Sequence, residues 1–176
     1  KIASDGGDLR GTHCLAICYH NGSGIKKNHQ EAIRLLKIAS DGGNSKATVD
    51  LATFYHNGSG VEKNLEEAFR LIKIASDRGY LYAMFVLAVC YEYGEGVEKN
   101  LQEAIRLYKI ASDGGNLGAA INLAHCYEDG IGVEKNLQEA FRLCKIASDG
   151  GKLTATYHLA HCYENGSGVE KNLQEA

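Results

Sequence analysis

Histidine and cysteine are the side chains of this 176-residue sequence with most chemistry to offer. His158 and His161 stand three apart, the spacing of one helix face, and His125 lies 36 residues before His161. A histidine cluster of that kind can ligate zinc. Neither a CxxC nor an HExxH signature accompanies it, and the adjacent Cys126 and Cys162 fall on the phase that should face a core. No metal and no cofactor are therefore expected. His20 and His56 are expected at solvent-exposed helix ends. Cys18, Cys90, Cys126 and Cys162 share one phase, whereas Cys14 and Cys144 occur singly. Elements packed about 10 Å apart would hold the in-phase cysteines beyond the roughly 7 Å Cα separation of a disulfide. All six read as reduced, buried, small apolar residues. That favours a reducing, intracellular and cytoplasmic setting.

Other chemical signatures fail on inspection. Glycine strings such as Asn57-Gly58-Ser59-Gly60 lack the Lys-Ser/Thr of a phosphate-binding loop and follow a helical pattern instead of a strand. The Asp-Gly-Gly strings lack the alternating oxygen ligands of an EF-hand. Apparent nucleophile-base pairings recur wherever the sequence repeats itself, so none can be argued as catalytic, and an enzyme is not expected. The formal net charge of −3 gives no general attraction to nucleic acid or to an anionic membrane. No stretch approaches the roughly 20 apolar residues of a membrane span, so no membrane insertion is expected.

The elements that carry these residues come from a repeat. KIASDGG begins at Lys1, Lys37, Lys109 and Lys145, and Lys73 begins KIASDRG; GVEKNL begins at Gly60, Gly96, Gly132 and Gly168. Every interval is a multiple of 36. The units expected are 8–43, 44–79, 80–115, 116–151 and 152–176 within a single domain spanning 1–176, with 1–7 the tail of a preceding unit. Each holds two helical patterns. In the fourth, Ala119, Leu123, Cys126 and Tyr127 form one apolar face, and Gly130 and Gly132 break the helix. Asn136 opens the second helix as an N-cap, with Glu139 placed to reach back as in a capping box. The same spacing recurs at Asn28/Glu31, Asn64/Glu67, Asn100/Glu103 and Asn172/Glu175. The second helix should end at Gly150 in a left-handed conformation. Its apolar arc is wide, from Leu137, Ala140 and Phe141 to Leu143, Cys144, Ile146 and Ala147. A wide arc implies contact with its own partner and with the next repeat. Glu139 and Arg142 should form an exposed ion pair.

The run Ala-x-x-x-Leu-Ala-x-x-Tyr-x-x-Gly-x-Gly-Val-x-x-Asn-x-x-x-Ala, from Ala119 to Ala140, resembles the Sel-1-like repeat, a relative of the tetratricopeptide repeat. The resemblance covers essentially the whole chain. It implies an all-α fold, a right-handed superhelical solenoid of about five 36-residue helix-turn-helix repeats. It also implies an adaptor that binds a protein or peptide on a concave face. Three departures stand out. The family's usual glycine after Leu is Ala16, Ala52, Ala88, Ala124 and Ala160. The usual aromatic near the middle of the second helix is Arg or Leu. The paired cysteines of the secreted, cysteine-rich bacterial members are replaced at Ser112 and Ala120.

Differences among the repeats gather on one face of the first helix. In the third unit the changing residues are Tyr82, Phe85, Val86, Val89 and Tyr93. Their counterparts are Arg10, His13, Cys14, Ile17 and Asn21 in the first unit and Lys46, Val49, Asp50, Thr53 and Asn57 in the second. The fourth has Gly118, Ile121, Asn122, His125 and Asp129, and the fifth Thr154, Tyr157, His158, His161 and Asn165. By similarity to tetratricopeptide repeats this face should line the concave groove, and the apolar third unit would mark the docking site. Drift on a solvent-facing surface is the rival explanation. A structural spacer, or a rod assembling end to end, is the rival function.

About ten helical segments are expected, with Leu51, Leu87, Leu123 and Leu159 buried. The sequence opens on Lys1-Ile2-Ala3-Ser4 and closes on Asn172-Leu173-Gln174-Glu175-Ala176, both read as parts of second helices. Apolar ends of that kind predict a parent protein that continues in both directions, or end-to-end self-association of the fragment.

Overall fold

The computed structural model describes residues 8–175. The described residues form nine α-helices and no strand: α1 (Leu9–Asn21), α2 (His29–Asp41), α3 (Ser45–Asn57), α4 (Leu65–Asp77), α5 (Leu81–Tyr93), α6 (Leu101–Asp113), α7 (Leu117–Asp129), α8 (Leu137–Asp149) and α9 (Leu153–Asn165). The expected tail at residues 1–7 lies outside them. No tenth helix forms among the described residues: Leu173–Glu175 is a turn, in which Asn172 Oδ1 accepts from Gln174 N.

Within each compact unit consecutive helices pack together, because each buries only part of its surface against its own partner. The chain divides into two compact units, Lys1–Ala83 with Gly94–Glu98 and Met84–Tyr93 with Lys99–Ala176. In the first, α1 packs on α2, α2 on α3 and α3 on α4; in the second, α6 packs on α7, α7 on α8 and α8 on α9. Leu51, Leu87 and Leu123 are buried with the alanines beside them. Leu159 is only half-buried, which corrects the expectation. Among the described residues α9 packs on α8 but has no second helix of its own repeat to cover its other side. The wide arc of α8 is also narrower than its composition suggests. Ala140, Leu143, Cys144 and Ala147 are buried, but Ile146 is 41% exposed.

The second helices start as the Asn-x-x-Glu spacing requires, with one change. Asn28, Asn64, Asn100 and Asn136 accept through Oδ1 from the backbone N–H of Glu31, Glu67, Glu103 and Glu139 at 2.9–3.1 Å. The reciprocal half of the capping box is absent. Each asparagine N–H donates instead to a tyrosine carbonyl of the preceding helix, Tyr19, Tyr55, Tyr91 or Tyr127. The glutamates are left to bind Arg34, Arg70, Arg106 and Arg142 through two bonds each. These guanidinium bonds hold the Glu31, Glu67 and Glu139 carboxyls below the usual carboxylate range. The pairs are exposed and screened by solvent, so each adds little to stability.

The C-terminal glycines differ from expectation in register. Gly150 is right-handed, φ −78°, and the left-handed residue is the next one, Gly151, φ +85°. Gly42 and Gly43 repeat the arrangement. The first glycine answers a packing demand: a Cβ on Gly42 would lie 2.4 Å from Leu9, and one on Gly150 2.4 Å from Leu117.

Candidate interaction face

The first helices α1, α3, α5, α7 and α9 each display thirteen residues, of which every third or fourth turns inward. Asp8, Asn44 and Asn116 cap α1, α3 and α7 by accepting from Arg10, Ala47 and Ala119 N. These caps fix where the variable positions begin.

In the first unit, Arg10, Lys46 and Thr53 are exposed, Tyr82 is 47% exposed, and Ile17 is half-buried. His13 Nε2 donates to Asp50 Oδ2 at 2.5 Å, so two variable positions of neighbouring repeats pair with each other. Val49 is buried at 6% exposure. It belongs to the core, which corrects its assignment to an open face. Cys14 is exposed, so the cysteines are not uniformly buried; all six are free thiols.

His20 also departs from expectation. Its ring stands edge-on to His29 at 5.2 Å and lies 4.8 Å from Phe54. The Nδ1 atoms of both histidines are enclosed. Burial, then the charges of Lys27 and His20, push the His29 pKa below the ordinary imidazole value. The signal was present in the repeat: His29 stands where the other units have Leu, and Phe54 where they have Cys. His56 does sit at a half-exposed helix end, 3.4 Å from Glu95.

In the second unit, Phe85, Val86, Val89 and Ile121 are half-buried, and Tyr93 is 66% exposed. Asn122 is drawn inward by Tyr108. Its Nδ2 donates to Tyr108 Oη at 3.0 Å, and Tyr108 Oη donates to Glu92 Oε2 at 2.6 Å. Asn122 is half-buried, with its amide nitrogen committed to Tyr108. Tyr108 occupies the position of Leu36, Ile72 and Cys144 on the apolar side of a second helix, and the repeat pattern does not single it out. Burial and the Glu92 carboxylate push its pKa far up.

The rings of His125 and His158 meet edge-on at 4.7 Å, with Tyr157 5.9 Å from His158 and 72% exposed. Such edge-to-face geometry suits the ring quadrupoles. Burial and the neighbouring His125 lower the His158 pKa, while Glu128 opposes them. His161 turns away to Asn165. No group of three or more His, Cys, Asp or Glu side chains among the described residues converges as a metal site. No helix of the described residues is long and apolar enough to cross a membrane.

The Sel1 repeat pattern matches residues 15–44, 45–80, 81–116, 118–152 and 153–176. The chain belongs to the Sel1 repeat family. Proteins built from Sel1 repeats are in general interaction scaffolds. A search of the curated proteins found no match. Among solved structures, the chain is similar to c5321, a protective antigen of uropathogenic Escherichia coli strains displaying an SLR fold. The identity is 26% and the TM-score 0.89, over 95% of this chain and 36% of that one. The chain thus spans about a third of that protein's length. It is likewise similar to a Sel1 repeat protein from Oxalobacter formigenes, with 27% identity and a TM-score of 0.85 over 94% of this chain and 68% of that one. Helicobacter pylori cysteine-rich protein B shares the fold at 23% identity and TM-score 0.53, over 64% of this chain and 92% of its own. The all-α, helix-turn-helix repeat architecture is that of the Sel1 solenoids.

Proposed function

We propose that this chain is a protein-interaction scaffold that holds a protein or peptide on the variable face of its first helices, without catalysis. One observation carries the reading: a constant frame of caps and Glu–Arg pairs supports a face whose residues change from repeat to repeat and include the exposed aromatics Tyr82 and Tyr157. Large rings on an exposed face are the anchors that commonly dominate binding energy. Tyr157, seated on His158 beside His125, has the most exposed ring of this group and a fixed neighbour.

The test is selection of peptides from a displayed library on the immobilised chain, followed by affinity measurement of a selected peptide. Tyr82→Ala or Tyr157→Ala should weaken it about tenfold or more, in keeping with an aromatic anchor. Arg142→Ala, on the constant frame, should leave it unchanged. Loss of affinity on altering the second helices alone would count against the variable face and favour the spacer reading.

A further inference from the structure

We propose that the cleft at the start of α1 and α3 receives an acidic peptide segment of a partner protein, a carboxylate side chain beside an apolar one. This rests on the scaffold reading and names the chemistry of one partner. The cleft measures about 670 Å³, and its lining includes Leu9, Cys14 and Tyr80 together with Arg10, His13 and Lys46.

The charge is what identifies the occupant. Arg10 and Lys46 are exposed, and neither makes an ion pair among the described residues. The arginines of the second helices, by contrast, are each committed to a glutamate. The two carboxylates bonded to lining residues are themselves engaged. Asp50 is bound by His13 at 2.5 Å, and Asp8 accepts from Arg10 N. Two uncommitted cations therefore face an opening whose native acids are already partnered. A guanidinium can take a carboxylate through two parallel bonds, and the ammonium of Lys46 adds a point charge.

The rest of the lining suits a peptide better than a bare anion. Leu9, Cys14 and Tyr80 offer apolar surface for a neighbouring side chain. A Cβ built on Gly43 would meet nothing within 4 Å, so the backbone at that edge is open. The cation position is also particular to this unit: where Arg10 and Lys46 stand, the later repeats have Tyr82, Gly118 and Thr154. Preference for acid is thus a local feature of the variable face.

A short fluorescein-labelled peptide alternating Glu and Leu, and its Gln/Leu counterpart, test this by fluorescence anisotropy on the full chain. The Glu peptide should bind about tenfold tighter or more, a margin of about 1.4 kcal/mol, and should weaken as salt is raised. Arg10→Gln and Lys46→Gln should each weaken it several-fold, Arg34→Gln should not, and circular dichroism should show the helices intact. If both peptides bind equally, are indifferent to Arg10→Gln and Lys46→Gln, and weaken with Tyr157→Ala, the acidic cleft is wrong and the scaffold reading stands. If free acetate at equal carboxylate concentration competes as well as unlabelled Glu peptide, the site takes small carboxylates and the peptide proposal is overturned. Absence of any Glu-peptide binding also overturns it, and the library selection then decides the scaffold reading separately.

Discussion

Arg78, at the C-terminus of α4, reaches back to Ser40 at the C-terminus of α2, its Nη1 donating to the Ser40 carbonyl at 3.1 Å. The same nitrogen donates to Thr48 Oγ1 at 3.2 Å, and Thr48 Oγ1 lies 2.8 Å from Ser40 Oγ. Arg78 occupies the position of Gly42 and Gly150, where a Cβ would collide with Leu9 or Leu117. In this one repeat the leucine position is Ser45. The Arg78 backbone has φ −79°, so no glycine is required there for conformation. Small and large have exchanged places, and the arginine has acquired an acceptor from the preceding second helix.

Ser45→Leu should therefore destabilise the wild-type chain while being better tolerated with Arg78→Gly. The expected coupling in a double-mutant cycle is about 0.5–3 kcal/mol, read from urea unfolding midpoints. Additive effects within about 0.3 kcal/mol would mean that the two positions do not compensate.

Tyr108 is fully buried and has both neighbours committed to its hydroxyl, Glu92 as acceptor and Asn122 as donor. Tyr108→Phe keeps the ring and strands those two polar groups. A loss of about 1–3 kcal/mol is expected, and adding Asn122→Leu should recover part of it. Chemical denaturation of the two variants measures both quantities; an unchanged midpoint for Tyr108→Phe would show that the network contributes nothing.

The His20–His29–Phe54 cluster predicts a pH dependence. Burial, Lys27 and His20 depress the folded-state pKa of His29, whereas the unfolded chain has the ordinary value of about 6.5. Above that value both states are neutral and the stability is complete. As pH falls below it, the unfolded state takes up a proton that the folded state resists, so stability declines. His29→Leu, the residue of the other repeats, should flatten this decline between pH 8 and 5. Denaturation midpoints for both chains across that range provide the check; parallel curves would remove His29 as the cause.

Leu87 and Leu159 occupy the same phase but differ in burial, 4% exposed against half-exposed. Leu87→Ala should cost about 2–5 kcal/mol through the cavity it leaves, and Leu159→Ala distinctly less. Thermal unfolding of the pair ranks them, and equal losses would indicate that α9 is covered more fully in solution.

The variable face shows how far the sequence could be read. Tyr82, Tyr157, Arg10 and Lys46 are as accessible as their variation suggests. Val49 and Asn122 vary as much and point elsewhere, one into the core and one to Tyr108. Variation marks both surface choice and compensated interior change, and a single chain displays the two alike.

What the sequence by itself determined is the repeat and most of its local structure. The 36-residue period and the helix pairs are read from strings that recur along the chain, and the asparagine caps and the Glu31–Arg34 type of ion pair follow from residues a turn or less apart, whose distances are set by helix geometry. Only the tertiary structure decided which partner each exceptional residue found. Asn28 N–H goes to Tyr19 instead of Glu31, Arg78 goes to Ser40, His20 packs on His29 and Phe54, and Tyr108 joins Glu92 to Asn122. Most of these pairs join different helices and the others join a helix to a cap. Their meeting depends on how helices pack and how far side chains reach, which periodicity does not encode.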